Sequence, residues 1–312
     1  MLLYLDQNAW VSLARGAWDK NAYPKEHAAL SVVIDAVRMR ELLVPLSFTN
    51  IYETYKIDDP KRRVHMANVQ ATISGGKVFR SRRRIFNETL STFLASHFEL
   101  PNVAPKGHWF LSGLWFEATA DYSPAVYGFG ISNPVLDYMI SEPAKALFQF
   151  LASNDEDVRK EAVRRYSSSS AEHIAAIEAR RAIVGGEKLA LRKRAYGARL
   201  LIDELEFILS VGRELGKDWR MVSDIGSSLA RRLIVDVPIL HVERELVIRL
   251  EDHSRAISEN DLRDMLSFIV VLPFADVVVA ENTFINLARQ ARLGEKFETK
   301  LLTSVFELSN YL

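Results

Sequence analysis

Five carboxylates occupy positions from which they could share one cation. Asp6 closes an apolar run, Leu2 to Leu5, and Glu281 closes another, Val277 to Ala280. Runs of this kind read as buried strands of a parallel sheet, and such sheets bind ligands at the carboxyl ends of their strands. Glu53 lies on the helix that follows a third apolar run, Leu42 to Leu46, about two turns beyond Ser47, which reads as the N-cap of that helix. Asp261 and Asp264, three residues apart on one helix face, would point at the same end of the sheet. Two carboxylates roughly 5 Å apart repel by around 3 kcal/mol at an effective dielectric of about 20. A divalent cation removes that cost, and an all-oxygen donor set suits Mg²⁺ or Mn²⁺. Such an ion lowers the pKa of a bound water and neutralises a phosphoryl group, so the natural chemistry is phosphodiester hydrolysis. Taken singly, each acid has a plainer reading: Asp6 as a turn or cap residue, Glu53 as a solvated helix residue, Asp261 as an N-cap. The combination carries the expectation.

The elements that must position these acids lie at the two ends of the chain. After the Asp6 strand, Gln7 and Asn8 turn the chain into a helical stretch, and a longer helix is expected over 25–40. A strand over 42–46 and the Glu53 helix follow. Near the other end, a helix carrying Asp264 is capped within Glu259 to Asp261 and stopped by Pro273. A strand over 276–281, a helix over 283–292 and a strand over 301–303 complete an alternation typical of a parallel sheet with crossovers. Between them the signal is mostly helical, with long helices expected over 135–152, 171–184 and 187–215. The expected fold is therefore α/β, a central parallel sheet assembled from 1–95 and 235–312, with 96–234 as a large helical insertion.

These residues resemble a family. Leu5-Asp6-Gln7-Asn8, Pro45-Leu46-Ser47 followed by Glu53, and Asn260-Asp261-Leu262-Arg263-Asp264 are similar to the spaced acidic motifs of PIN-domain nucleases. The run from Leu272-Pro273 through Asp276-Val277-Val278-Val279-Ala280-Glu281 is the most specific piece. It resembles a bacterial PIN-like subgroup, as do Asn286 to Ala291 and Leu301-Leu302-Thr303. The resemblance implies a three-layer, Rossmann-like fold and a metal-dependent nuclease. Its substrate would be RNA, with DNA possible, and its products a 5′-phosphate and a 3′-hydroxyl. By position, Asp6, Glu53, Asp264 and Glu281 would be the catalytic and metal-binding quartet for Mg²⁺ or Mn²⁺. Asn8, Ser47, Asn282 and Thr303 would support them from behind. Asp261 is either a fifth ligand or the cap of the Asp264 helix, with the cap favoured, and Asp276 reads as structural. Many PIN domains end the last acidic strand with Asp where this chain has Glu281. A catalytically weak scaffold that binds RNA or a protein partner is the competing reading, and a homo-oligomer or an operon-encoded partner is compatible with either.

Composition narrows the field. Forty basic residues balance forty acidic ones, which argues against binding nucleic acid by bulk charge and leaves room for a local basic groove. With no cysteine, thiolate metal sites and cysteine nucleophiles are excluded. The sequence has no P-loop and no H-E-x-x-H, which disfavours nucleoside triphosphatases and zinc proteases, and its histidines, His241 and His253 included, read as packing or surface residues. Absence of a recognisable leader and of a long apolar span leads to the expectation of a cytoplasmic protein without membrane contact. For nucleic acid, residues 57–95 hold eight Lys/Arg against three acids, and Arg80, Arg82, Arg83 and Arg84 are the expected phosphate contacts, or else a solvated helix start paired with acids. Trp109, Phe110, Trp115, Phe116, Tyr122, Tyr127 and Phe129 have almost no interleaved cations, so packing is favoured over base stacking.

Overall fold

The computed structural model describes residues 1–101, 105–119, 130–153, 155–184, 186–253 and 255–312. The chain is mostly helical around a small three-stranded parallel sheet, an α/β arrangement. The strands are β1 (Leu3–Leu5), β2 (Val78–Phe79), β3 (Leu111–Ser112), β4 (Val277–Val279) and β5 (Lys300–Leu302). The parallel sheet runs β1-β4-β5, with Leu3 opposite Val277 and Val277 opposite Lys300, while β2 and β3 pair antiparallel. The chain ends thus meet in one sheet, as the apolar runs predict.

Both faces of this sheet are buried. Leu3, Leu5, Val277, Val279 and Leu302 point into one core, with Trp10, Leu13 and Leu30 from the helices Gln7–Trp18 and Pro24–Arg38. Leu2, Tyr4 and Val278 point into the other, with Leu246 and Phe268 from the helices Pro238–Leu250 and Glu259–Val271. The period-two split of a strand explains why these runs are apolar at every position. Burying each Val or Leu side chain fully contributes roughly 1.5–3 kcal/mol.

Three expectations are corrected. Residues 42–46 do not form a strand; they make isolated parallel bridges, Leu2 with Leu43 and Leu46 with Val78. Pro45 between them has no N–H to donate, so the ladder cannot continue. The segment over 135–152 is two helices, Asn133–Ser141 and Pro143–Leu151, because Pro143 disfavours helical backbone at Glu142. The segment over 187–215 is likewise two helices, Leu189–Asp203 and Leu205–Glu214, parted at Glu204. Further differences are smaller: the helix expected over 171–184 begins earlier, spanning Glu156–Val184. Residues of the middle segment enter both cores, Ile177, Tyr196 and Ile208 in one, Leu147 and Leu151 in the other. Among the described residues, no helix is long and apolar enough to cross a membrane.

Candidate functional site

The site grows from the ends of β1 and β4. Asp6 follows β1, ties to the neighbouring strand through its N–H to the Val279 carbonyl (2.9 Å), and accepts from the Ala9 N–H (2.8 Å) as cap of the Gln7–Trp18 helix. The plain reading of Asp6 as a cap is therefore true, and it does not exhaust the residue. Its carboxyl is buried, and burial, reinforced by the neighbouring Glu281 charge, lifts its pKa to about 6 against the pull of the Ala9 hydrogen bond. Glu281 follows β4 as N-cap residue of the helix Asn282–Gln290 and accepts from the Asn8 side-chain amide. Asp6, Asn8, Glu281 and Thr303 line one hollow of about 120 Å³.

Asp264 comes from the opposite side, on the helix Glu259–Val271. The cap of that helix is Ser258, one residue before the stretch expected to cap it, in a reciprocal pairing with Asp261. Asp264 makes no hydrogen bond or ion pair with any described residue, yet it lies within electrostatic reach of Asp6, Glu281, Glu53 and Asp261. Burial first, and then those four carboxylates, raise its pKa to about 8. A carboxyl that is both desolvated and set among like charges is held largely protonated at neutral pH. Among the described residues, no three acidic or imidazole side chains stand together as a ready-made metal cage.

Other expected members are tied up elsewhere. Glu53 sits on the helix Phe48–Tyr55 and is ion-paired to the Arg263 guanidinium at 2.6 Å, which also holds Glu259 at 2.5 Å. Asp261 is gripped by both terminal nitrogens of Arg255 (2.6 Å each) and by Ser258; burial works against its ionisation, but these partners prevail and hold it at about 2. These contacts make Asp261 part of the cap of the Asp264 helix, the reading favoured for it. Ser47 caps the Glu53 helix with Asn50 as reciprocal partner, and its hydroxyl joins Tyr4 (3.2 Å) and Thr49 (2.8 Å) beneath the site. Thr303 bonds to Glu307 (3.2 Å), and Asn282 is exposed at the first turn of its helix.

No family model matches the chain, no curated protein matches it, and no solved structure matches its fold.

The expected nucleic-acid face proves to be a set of ion pairs. Arg82 reaches Glu204 (2.7 Å) and Glu243 (2.6 Å), Arg83 reaches Glu204 (2.9 Å), Arg80 reaches Glu117 (2.8 Å) and Arg84 reaches Glu88 (2.8 Å). Burial alone would weaken the charge on Arg82, but Glu243 and Glu204 overcome it, and its pKa is raised. The local excess of cations is thus neutralised largely by acids from distant parts of the chain. The aromatic stretch packs, as favoured: Phe110 stacks on Phe274 with ring centres 4.6 Å apart, and Trp115 on Phe150 at 3.6 Å. Tyr122, Tyr127 and Phe129 lie outside the described residues. His241 also fits its reading as a packing residue, edge-on to Phe297 and pushed to about 4 by burial and then by Lys296.

Sequence reasoning missed several residues that set the geometry. Arg263 controls Glu53, although it sits inside the quoted Asp261–Asp264 motif. Tyr4 lies under the site on β1, its hydroxyl pushed up to about 12 chiefly by burial. Gln7, Thr54 and Gln70 form a closed polar triangle (2.8–3.3 Å) that locks the Asp6 helix to the Glu53 helix. Arg263 and Gln7 are polar residues beside motif acids, the one signal that marked them; nothing in the sequence points from Tyr4 to Ser47.

Proposed function

We propose that the chain is a PIN-like, divalent-metal-dependent nuclease with a three-layer Rossmann-like core, and that it hydrolyses phosphodiester bonds of single-stranded RNA, with DNA as an alternative substrate. The observation that carries this reading is Asp264, a half-buried carboxyl without a hydrogen-bond partner among the described residues, faced by Asp6 and Glu281 beyond the ends of two parallel strands and by Glu53 on a neighbouring helix. The all-oxygen chemistry of the set fits Mg²⁺ or Mn²⁺ and disfavours softer metals. Asp6, Asp264 and Glu281 would hold the ion, drawing together onto it, with Glu53 joining when Arg263 releases it. When bound, such an ion neutralises phosphate charge and acidifies water. This chain's own residues do the positioning: Asn8 orients Glu281, the Ala9 N–H orients Asp6, and Ser258 with Arg255 fixes the start of the Asp264 helix.

A non-cutting scaffold is the second reading, favoured by one observation: Glu53 is already neutralised by Arg263. A thermal melt in EDTA, Mg²⁺ or Mn²⁺, on wild type and Asp6→Asn, tests the site. The asparagine retains an oxygen for the Ala9 cap, so loss of the metal response is not loss of the helix. A rise with Mn²⁺ that vanishes in the variant supports the metal site, and cleavage of single-stranded RNA and DNA then separates nuclease from scaffold. No rise at millimolar Mn²⁺ overturns the reading.

A further inference from the structure

We propose that a single-stranded nucleic acid reaches the carboxylate site along the groove between the helices Gln7–Trp18 and Pro60–Ser74, with Trp18 stacking an unpaired base and Arg15, Lys61 and Arg62 holding phosphates. The inference rests on the metal-nuclease reading and supplies its substrate path. A groove of about 500 Å³ opens at Asn8 and Glu53, beside the acids, and runs to Trp18. Asn8, Val11, Arg15 and Trp18 are spaced three, four and three apart, so one helix face presents them all. Ten residues of helix span about 15 Å, a few nucleotides of strand, so Trp18 meets a base near the site and not at it.

Two features of this groove suit a single strand. Trp18 is 66% exposed, unusual for a residue of its size. It is also fixed, packed edge-on against the His65 ring at 4.8 Å, with His65 Nε2 bonded to the Ala14 carbonyl at 2.7 Å. A rigid, exposed aromatic face is a stacking platform that any base can use. Second, the side chains of Arg15, Lys61 and Arg62 have no acidic partner among the described residues, in a protein where Arg80, Arg82, Arg83 and Arg84 are all paired. The groove's acids are engaged elsewhere and form no ion pair with these three: Glu53 is bound by Arg263, and Asp59 caps its helix through the Lys61 and Arg62 N–H groups (2.8 and 3.3 Å). Unpaired cations beside a flat aromatic, leading to acids that require a metal and a phosphate, are complementary to a polyanionic strand with exposed bases.

The test is a fluorescence-anisotropy titration in EDTA, where cleavage does not interfere, with labelled single strands of about 12 nucleotides, RNA and DNA, and the matching duplex. Trp18→Ala is expected to weaken single-strand binding about tenfold or more, with Trp18→Phe recovering most of it and duplex binding unaffected. The triple variant Arg15→Ala, Lys61→Ala, Arg62→Ala is expected to flatten the salt dependence by about 2 in log–log slope. Arg292→Ala, an exposed arginine paired to Glu295, is the control and binds as wild type does. Unchanged binding in Trp18→Ala, or no binding of either strand by wild type, overturns the groove. The Mn²⁺ melt of wild type reports the carboxylates independently. A retained Mn²⁺ shift with a failed groove rejects this path alone, while a lost Mn²⁺ shift rejects the reading beneath it.

Discussion

Replacing Asp264 by asparagine should stabilise the metal-free protein, and by an amount that depends on pH. Lifting its carboxyl from the ordinary 3.8 to about 8 means that ionising it in the folded state costs about 1.4 kcal/mol per pKa unit, or ~6 kcal/mol when complete. The sign follows from proton binding: between pH 3.8 and about 8 the folded state holds a proton that the unfolded state releases, so wild-type stability falls as pH rises through that window and levels off above it. Asparagine carries no such dependence. It leaves a buried amide without a partner, a penalty of about 1–2 kcal/mol. The variant should therefore match wild type near about pH 5 and exceed it by ~4 kcal/mol near about pH 9, a gain of roughly 5 °C or more in Tm. Urea denaturation in EDTA across that range measures it. With millimolar Mn²⁺ the gap should narrow by about 2.7 kcal/mol at a hundredfold excess of ion over Kd, since wild type gains that stabilisation and the variant does not. Parallel stability curves for the two proteins from about pH 5 to 9 in EDTA would refute the reasoning, because burial and the neighbouring carboxylates would then not be raising the Asp264 pKa.

Three further outcomes follow from the packing. Glu245 is held at about 2 against burial by Lys193, Arg249 and Arg244, so its contribution is present above its ordinary 4.5 and is lost as pH falls towards 2. Glu245→Gln should cost ~2 kcal/mol at neutral pH and much less near about pH 3, measured by denaturant titration at both. Arg82→Ala leaves Glu243 without its cation and Glu204 with Arg83 alone, and should cost ~3 kcal/mol in the same assay, against under ~1 kcal/mol for Arg84→Ala at its exposed pair. At Gly212, an added Cβ would stand 2.0 Å from the Trp219 ring, so Gly212→Ala should destabilise by ~2–3 kcal/mol with a change in tryptophan fluorescence.

What the sequence made legible was whatever a local pattern decides. The β1 and β4 runs are apolar at successive positions because both sheet faces are covered, and Asp6 and Glu281 end them. Ser47 is legible as a cap because its reciprocal partner, Asn50, is three residues away. The strand expected at 42–46 failed on one missing donor at Pro45, a detail outweighed in pattern by its apolar neighbours. Tertiary ion pairs were not legible. The basic run at 80–84 looks free until Glu117, Glu204 and Glu243 fold onto it, while Arg15, Lys61 and Arg62, scattered between two helices, look ordinary until the fold leaves them without acids.

The least obvious relation in the site is between Glu53 and Arg263, and it bears on whether four acids or three hold an ion. Arg263 is nearly buried, ion-paired to Glu53 and hydrogen-bonded to Glu259 and Asn260, so it keeps partners if Glu53 departs. Releasing Glu53 therefore leaves no naked buried cation, and the exchange is feasible. Arg263→Gln should tighten Mn²⁺ binding about fivefold simply by removing a nearby positive charge, so that variant alone does not decide the matter. The decisive comparison is Glu53→Gln made in wild type and again in the Arg263→Gln variant, with Mn²⁺ affinity read by calorimetry. If Glu53 joins the ion once freed, its loss is more severe in the Arg263→Gln variant than in wild type, by about tenfold for a lost charged ligand. Equal losses would place Glu53 outside the coordination sphere in both cases, leaving Asp6, Asp264 and Glu281 to hold the ion and Glu53 with Arg263 to shape the mouth of the groove.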